Sequence, residues 1–274
     1  MKLATARSPD EVLAAPADRL DELSTGDRWT VDARRVVGIP GGMVQGTAEM
    51  SRAKEALHAL RERGIAATFT HLIVRATGLA LARNPGTYQM VCGYDRLTTA
   101  SIDIGVSTSD VPAGLPAVVV GVERTPLSAL VGQVDEALAA AARSGGKRIA
   151  RGGWFAAFGF VRRWLLRRWR GAFGSRRRLA GTFEVACDSN ADVLGPIRFH
   201  TDAILAAGRV RDVVLVDEGE PVIRPVVHLT LSLDHVAMDG MRAAALINAV
   251  KEILEGDELL AEARGSPAEL APAP

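Results

Sequence analysis

This sequence predicts a mixed α/β (α+β) domain, a mixed β-sheet flanked by helices, and three observations carry the prediction. Helical periodicity and strand alternation are interleaved without a regular repeat, and several strand-like runs follow one another as hairpins; both favour a mixed arrangement over a parallel array. The chain has 274 residues, 48% hydrophobic and 24% charged, enough for one sizeable core or two small ones. Finally, LSLDHVAMDGMRAAALINAVKEILE, residues 231–255, passes from a strand period to a helix period within a few residues.

The elements follow in order. Residues 1–40 are polar, punctuated by Pro9, Pro16 and Pro40, and read as an N-terminal arm with short elements, ended by the GGM at 41–43. SRAKEALHALRERG, 51–64, is amphipathic, with Ser51 as N-cap and Gly64 as its stop. Residues 69–83 form a more buried helix that Asn84-Pro85-Gly86 ends. TYQMVCGYD, TTASIDIGVST and, after a PAG turn, LPAVVVGVE are β-type runs. PLSALVGQVDEALAAAARSGG is a third helix, with Thr125 or Ser128 near its start and Gly145-Gly146 after it. A basic segment fills 147–178. GTFEVA, AILAAGRV and DVVLVDEGEPVIRPVVHLTLSLDH then supply strands, and the closing helix completes a domain over 41–256. Residues 257–274, with SPAELAPAP, read as a disordered tail.

Composition excludes several classes. A net charge of +1 gives no global steering toward nucleic acid, and none is expected as partner. Cys92 and Cys187 make no disulfide framework and fit a reducing compartment. The N-terminus has no apolar run followed by a cleavage site. No stretch reaches the ~18 apolar residues of a spanning helix; the nearest, ATFTHLIVRATGLALA, carries His71 and Arg75. A cytoplasmic protein is expected. Five scattered histidines and two distant cysteines offer no metal spacing. GYDRL and RSGGKR lack a phosphate-loop pattern.

The seam at 234–240 is where chemistry is expected. Val227, Leu229, Leu231 and Leu233 alternate with His228, Thr230, Ser232 and Asp234, as in a half-buried strand. His235 continues the apolar parity, so its ring is expected to turn inward and Asp234 outward. A shielded neutral imidazole can take a proton from a thiol or hydroxyl at neutral pH. Asp239, one helical turn later, is stabilised as an anion at a helix N-terminus and can pin the loop that orients the ring. On spacing alone, His235 also reads as a satisfied core histidine.

DHVAMDG, with the helix after it, resembles the DHRxxDG signature of the catalytic domain of dihydrolipoyl acyltransferases, the core subunits of 2-oxoacid dehydrogenase complexes. Its HxxxDG core is shared with chloramphenicol acetyltransferase. Other blocks fall in the same order: THLIVRATGLALARNPGTYQM, SIDIGVSTSD with LPAVVVGVE, PLSALVGQVDEALAAAA, GTFEVA, AILAAGR and EPVIRPVVHLTLSLDH. The resemblance covers residues 41–256. It implies a CoA-dependent acyltransferase fold, usually trimeric, with active sites in channels between subunits, CoA (acyl-CoA) as co-substrate and no metal. It assigns His235 as general base, Asp239 as its partner and Gly240 as the glycine that closes the turn.

The departures are specific. Val236 stands where the family has arginine. The family's GTFTIS block ends in a serine that stabilises the oxyanion, whereas GTFEVACDSN places Ala186 there, with Cys187 beside it and Ser189 three further on. Loss of such a donor can cost ~100- to 1000-fold in rate. Ser189, Cys187 or a backbone N–H is expected to substitute, or the enzyme is slow or inactive. Cys187 also reads as a buried inert thiol. No lipoyl or peripheral-subunit-binding domain is recognisable, so a stand-alone enzyme without covalent lipoyl is expected, its acceptor a thiol, hydroxyl or amine supplied from outside. The rival reading is a trimeric scaffold of the same fold that has lost its chemistry.

The basic segment KRIARGGWFAAFGFVRRWLLRRWRGAFGSRRR is not explained by the resemblance. It holds eleven Lys/Arg, no acid, and three of the four tryptophans. On a helix, Trp154, Phe158, Val161, Leu165, Trp169 and Phe173 make an apolar stripe, with Arg162, Arg163, Arg167 and Arg170 beside or behind it; Trp164 and Arg168 join the same surface. Such a pattern suits a helix lying in an anionic membrane interface, where each basic residue contributes about 1 kcal/mol. The expectation is a cytoplasmic protein peripheral on the inner face of the membrane. An acidic carrier protein, packing against the protein itself or a neighbouring subunit, and nucleic acid are the alternatives. His58 and His71 are expected to pack within helices, and His200 to be structural.

Overall fold

The alternation at 227–233 builds the longest strand of a seven-stranded mixed sheet, one place in from its edge. In the computed structural model, which describes residues 18–37, 41–109, 116–151, 172–198 and 200–265, this sheet has the order β2-β10-β8-β7-β5-β6. The strands are β2 (Gly41–Glu49), β5 (Ile104–Thr108), β6 (Ala117–Val119), β7 (Phe183–Cys187), β8 (Ala203–Ala207) and β10 (Glu220–Asp234), and β9 (Arg211–Asp217) pairs with the first half of β10. β8, β7 and β5 run parallel; the pairs β10–β2, β10–β8 and β5–β6 are antiparallel.

Val227, Leu229, Leu231 and Leu233 are fully buried in the core. Thr230 and Ser232, on the other face, are buried as well, so this half of β10 is covered on both sides. The core face is closed by α2 (Ser51–Glu62), α3 (Phe69–Arg83), α4 (Leu127–Arg151) and α6 (Gly240–Glu255). α3 is buried continuously from His71 to Ala82, which is why it is apolar on all sides rather than striped. Ser51 is the first residue of α2, not its cap, and Gly64 follows the helix at φ +75. α4 runs through Gly145-Gly146 instead of stopping before them.

One boundary is corrected, and the described part of the arm carries secondary structure of its own. Within the arm, residues 19–22 form β1, which pairs with β4 (Asp95–Thr98), itself paired with β3 (Met90–Cys92). Thr25–Val37 forms α1. Leu23 and Val31 of this unit make a small apolar cluster with Val91, Val236 and Ala237. The tail is not disordered from residue 257: α7 (Glu258–Arg264) buries Leu259, Leu260 and Ala263. Arg75 donates to both carboxylate oxygens of Glu262 and to the carbonyls of Val122 and Glu123. Glu262 also accepts from Leu127 N–H. The boundary drawn at 257 misses a helix held this way, while SPAELAPAP itself lies outside the described residues.

Of the basic segment, Trp154, Phe158, Arg162, Arg163, Trp164, Arg167, Arg168 and Trp169 lie outside the described residues. Its last residues form α5 (Phe173–Ala180). There Arg176 is buried, pairing with Asp202 at 2.9 Å and donating to Val91 O and Cys92 Sγ. Arg177 pairs with Asp103 and Asp18. These two cations hold the fold together and are not part of a membrane face. No helix among the described residues is long and apolar enough to cross a membrane.

Candidate active site

β10 ends at Asp234, and a turn over 235–237 leads into α6. The turn reverses the expected burial. Asp234 is 4% exposed, whereas His235 is exposed at the end of the sheet. The ring does lie on the Leu233 side, as its parity implies: Gly42 pairs with Leu233, and a Cβ at Gly42 would sit 3.0 Å from His235 Nε2. The strand stops one residue before His235, so the imidazole overhangs the edge of the core.

The turn is braced from both sides. Val236 N–H donates to Asp234 Oδ1 at 3.0 Å, and the N–H groups of Ala237 and Met238 donate to Asp234 O. Arg198, from the segment between β7 and β8, approaches the other carboxylate oxygen at 3.4 Å; both side chains are nearly fully buried. Arg96 of β4 donates to Val236 O at 3.0 Å and pairs with Asp27 of α1. Val236, where an arginine is expected by resemblance, is buried against Leu23 and Val31 of the arm unit. An apolar residue suits that pocket.

Asp239 caps α6, its Oδ1 accepting from Arg242 N–H at 2.8 Å with the Arg242 guanidinium 3.6 Å away. It thus fixes the helix to the turn, the position expected of it. Gly240 needs no glycine here: its φ is ordinary and a Cβ would meet nothing.

The proposed donors stand elsewhere. Cys187 pairs with Ala207, and Ala207 with Leu229, so Asp234 is five residues, or about 17 Å, further along β10. Strand alternation puts Cys187 on the face of Phe183 and Val185, and Ala186 on the opposite face with Glu184. Cys187 packs against the core and bonds to Thr70, and burial pushes its thiol up to about 12; it faces away from position 186 and so does not replace a hydroxyl there. Ser189 lines a cleft of about 570 Å³ with Thr68, Thr70, His71, Thr108 and Asp135. The hydroxyl level with Ala186 and on its face belongs to Ser107, which donates to the buried Glu184 at 2.8 Å. One chain therefore does not bring His235 together with Ala186, Cys187 or Ser189.

His71 is buried and tied at both nitrogens, to Thr68 N–H and to Asp135; burial lowers its pKa below the usual value, Asp135 opposing. His200 stands 3.8 Å from Glu184. No group of three or more potential metal ligands occurs among the described residues. Sequence reasoning missed Arg198, Arg96 and the floor of Gly41 and Gly42. The GG pair ahead of the β2 alternation was its available signal.

This architecture is the CoA-dependent acyltransferase fold. Dihydrolipoamide acetyltransferase from Azotobacter vinelandii superposes with a TM-score of 0.61 at 18% identity, covering 83% of this chain and 87% of that one. The cubic core of the pyruvate dehydrogenase multienzyme complex gives 0.59 at 17%, over 88% and 93%. The sequence places the site region more narrowly: residues 195–261, which hold Arg198, β10, His235 and α6, match the family of 2-oxoacid dehydrogenase acyltransferase catalytic domains. The dihydrolipoyllysine-residue acetyltransferase component of the Bacillus subtilis pyruvate dehydrogenase complex is 38% identical over 66 residues, 24% of this chain and 15% of that protein's length.

Proposed function

We propose that this protein is an acyltransferase that moves an acyl group between CoA and a thiol acceptor of the dihydrolipoyl kind, within a wider class of hydroxyl and amine acceptors. One observation carries the reading: an imidazole at the open end of a rigid sheet, on a braced turn, inside the stretch that matches the acyltransferase family. His235 takes the acceptor's S–H proton, and the sulfur attacks the thioester carbonyl of acyl-CoA. The tetrahedral oxyanion then collapses, expelling the CoA thiolate, which recovers the proton from His235. Asp239 anchors the helix behind the turn.

The oxyanion donor comes from a second copy. Ala186 and its neighbours lie at the far end of the sheet from His235, and this separation supports a homotrimer whose sites form where one copy's turn meets the next copy's β7. Ser189, Ser107 or a backbone N–H supplies the donor there; Cys187 is set aside. The inactive scaffold is the second reading, favoured by Ala186 itself and by the commitment of the Ser107 hydroxyl to Glu184. The anionic-surface role remains with the part of 147–178 that excludes Arg176 and Arg177.

The test is CoA release from acetyl-CoA in the presence of dihydrolipoamide, followed chromatographically, for the wild type and His235→Ala, with and without anionic vesicles. General-base loss should lower turnover about 10²- to 10⁴-fold, and light scattering should give three copies. Equal turnover in the variant would remove His235 from the mechanism. A folded trimer without turnover would leave the scaffold.

A further inference from the structure

Beneath the His235 turn lies a buried ion pair whose cation comes from a distant part of the chain. Arg198 is 8% exposed in its side chain and Asp234 is 5% exposed. Asp234 uses its two carboxylate oxygens differently: Oδ1 accepts from Val236 N–H at 3.0 Å, and Oδ2 faces Arg198 Nη1 at 3.4 Å. Its own N–H donates to Asp202 O.

The guanidinium lies close against Gly41, the first residue of β2. A Cβ at Gly41 would stand 3.1 Å from Arg198 Nη2, just as one at Gly42 would stand 3.0 Å from His235 Nε2. Adjacent residues on opposite faces of one strand thus make the floor under both the cation and the imidazole. Beyond Arg198, Arg176 holds His200 and Asp202, donating to His200 O and pairing with the Asp202 carboxylate.

We infer that Arg198, reaching in from between β7 and β8, is the positioning residue for His235. The inference rests on the acyl-transfer reading for its kinetic part alone. A carboxylate buried without its cation relieves its desolvation by rotating away. Asp234 would then release Val236 N–H, and the backbone that aims the imidazole would lose its constraint. Arg198 touches no reacting atom; it acts through Asp234.

The experiment compares Arg198→Ala, Arg198→Lys and wild type in the acetyl-CoA assay, together with amide hydrogen exchange. Misplacing the base should lower kcat of Arg198→Ala about 10- to 100-fold, with KM for acetyl-CoA little changed. Arg198→Lys, which keeps the cation, should recover most of kcat. Val236 N–H should lose protection in Arg198→Ala while the amides of β10 between Val227 and Leu233 keep theirs. Wild-type kcat in Arg198→Ala, or no advantage of lysine over alanine, would overturn the inference and leave the acyltransferase reading standing. Absence of turnover in the wild type would overturn that reading instead; Val236 exchange would then decide the role of Arg198, with unchanged protection counting against it. If Arg198→Ala fails to fold, Arg198→Gln, which keeps most of the side-chain bulk and removes the charge, carries the same exchange test.

Discussion

Two buried arginine–carboxylate pairs in this molecule are built to different standards. Arg75 and Glu262 are saturated: Arg75 makes close contacts to both oxygens of Glu262 and to two carbonyls, and Glu262 accepts a further backbone N–H. Arg198 approaches one oxygen of Asp234 at 3.4 Å, and the other carboxylate oxygen accepts from the N–H of a turn. The first pair joins α3, α4 and α7 with no exposed group at stake. The second underlies a single exposed imidazole. A pair that ties helices together resists separation, whereas one that shares its carboxylate with a turn sets the direction of a backbone segment, so the two should fail in different ways when cut.

The largest effect is expected at the saturated pair. Glu262→Ala leaves a buried guanidinium without its partner and Leu127 N–H without an acceptor, a loss of about 3–5 kcal/mol. For a domain of this size that lowers Tm by on the order of 10 °C, readable by calorimetry. Activity per folded molecule should be unchanged. A shift of less than 2 °C would mean that α7 rests on its apolar residues alone.

Cutting at the site should do the reverse. Gly42→Ala puts a methyl 3.0 Å from His235 Nε2 at the exposed end of the sheet, where the ring can move aside at little cost to folding. A displacement of about 1 Å can lower the rate ~100-fold. The expected outcome is therefore lost turnover in the acetyl-CoA assay, with Tm within a few degrees of wild type. Lost stability with intact turnover would place the glycine in the service of the strand and not of the imidazole.

The contrast also explains what the sequence could and could not reveal. Periodicity placed α3 at 69–83 and the strand under His235, because burial of Val227 to Leu233 is written in a two-residue repeat. It also placed Asp239 at the start of α6. It failed where long-range polar contacts decide. α7 looked like a tail because its capture depends on Arg75, 187 residues away. His235 was expected inside and Asp234 outside, because alternation assumes that the strand continues; it ends at Asp234, and a cation from residue 198 lets the carboxylate be the buried member. Cys187 and Ser189 sit close to Ala186 in sequence, yet alternation turns one to the other face and a cleft takes the second. The opposite face of Cys187 is legible in the two-residue alternation of β7, whereas the cleft around Ser189 is built by residues distant in sequence.

The smallest effect separates a third polar contact from both pairs. His71 Nδ1 accepts from Thr68 N–H at 2.9 Å, so its proton is on Nε2 and is donated to Asp135 Oδ1 at 3.1 Å. The ring is thus satisfied as a neutral group, and burial holds its pKa below the usual 6.5, partly offset by Asp135. The unfolded chain then takes up a proton first as pH falls. Stability from this group is complete above pH 6.5, declines as pH drops from 6.5 toward the folded value, and declines no further below it. The slope inside that window is at most about 1.4 kcal/mol per pH unit. Urea midpoints at pH 7.5 and 5.5 for wild type and His71→Gln measure it: the wild type should lose more between the two. Parallel losses would assign the acid sensitivity to the carboxylates instead.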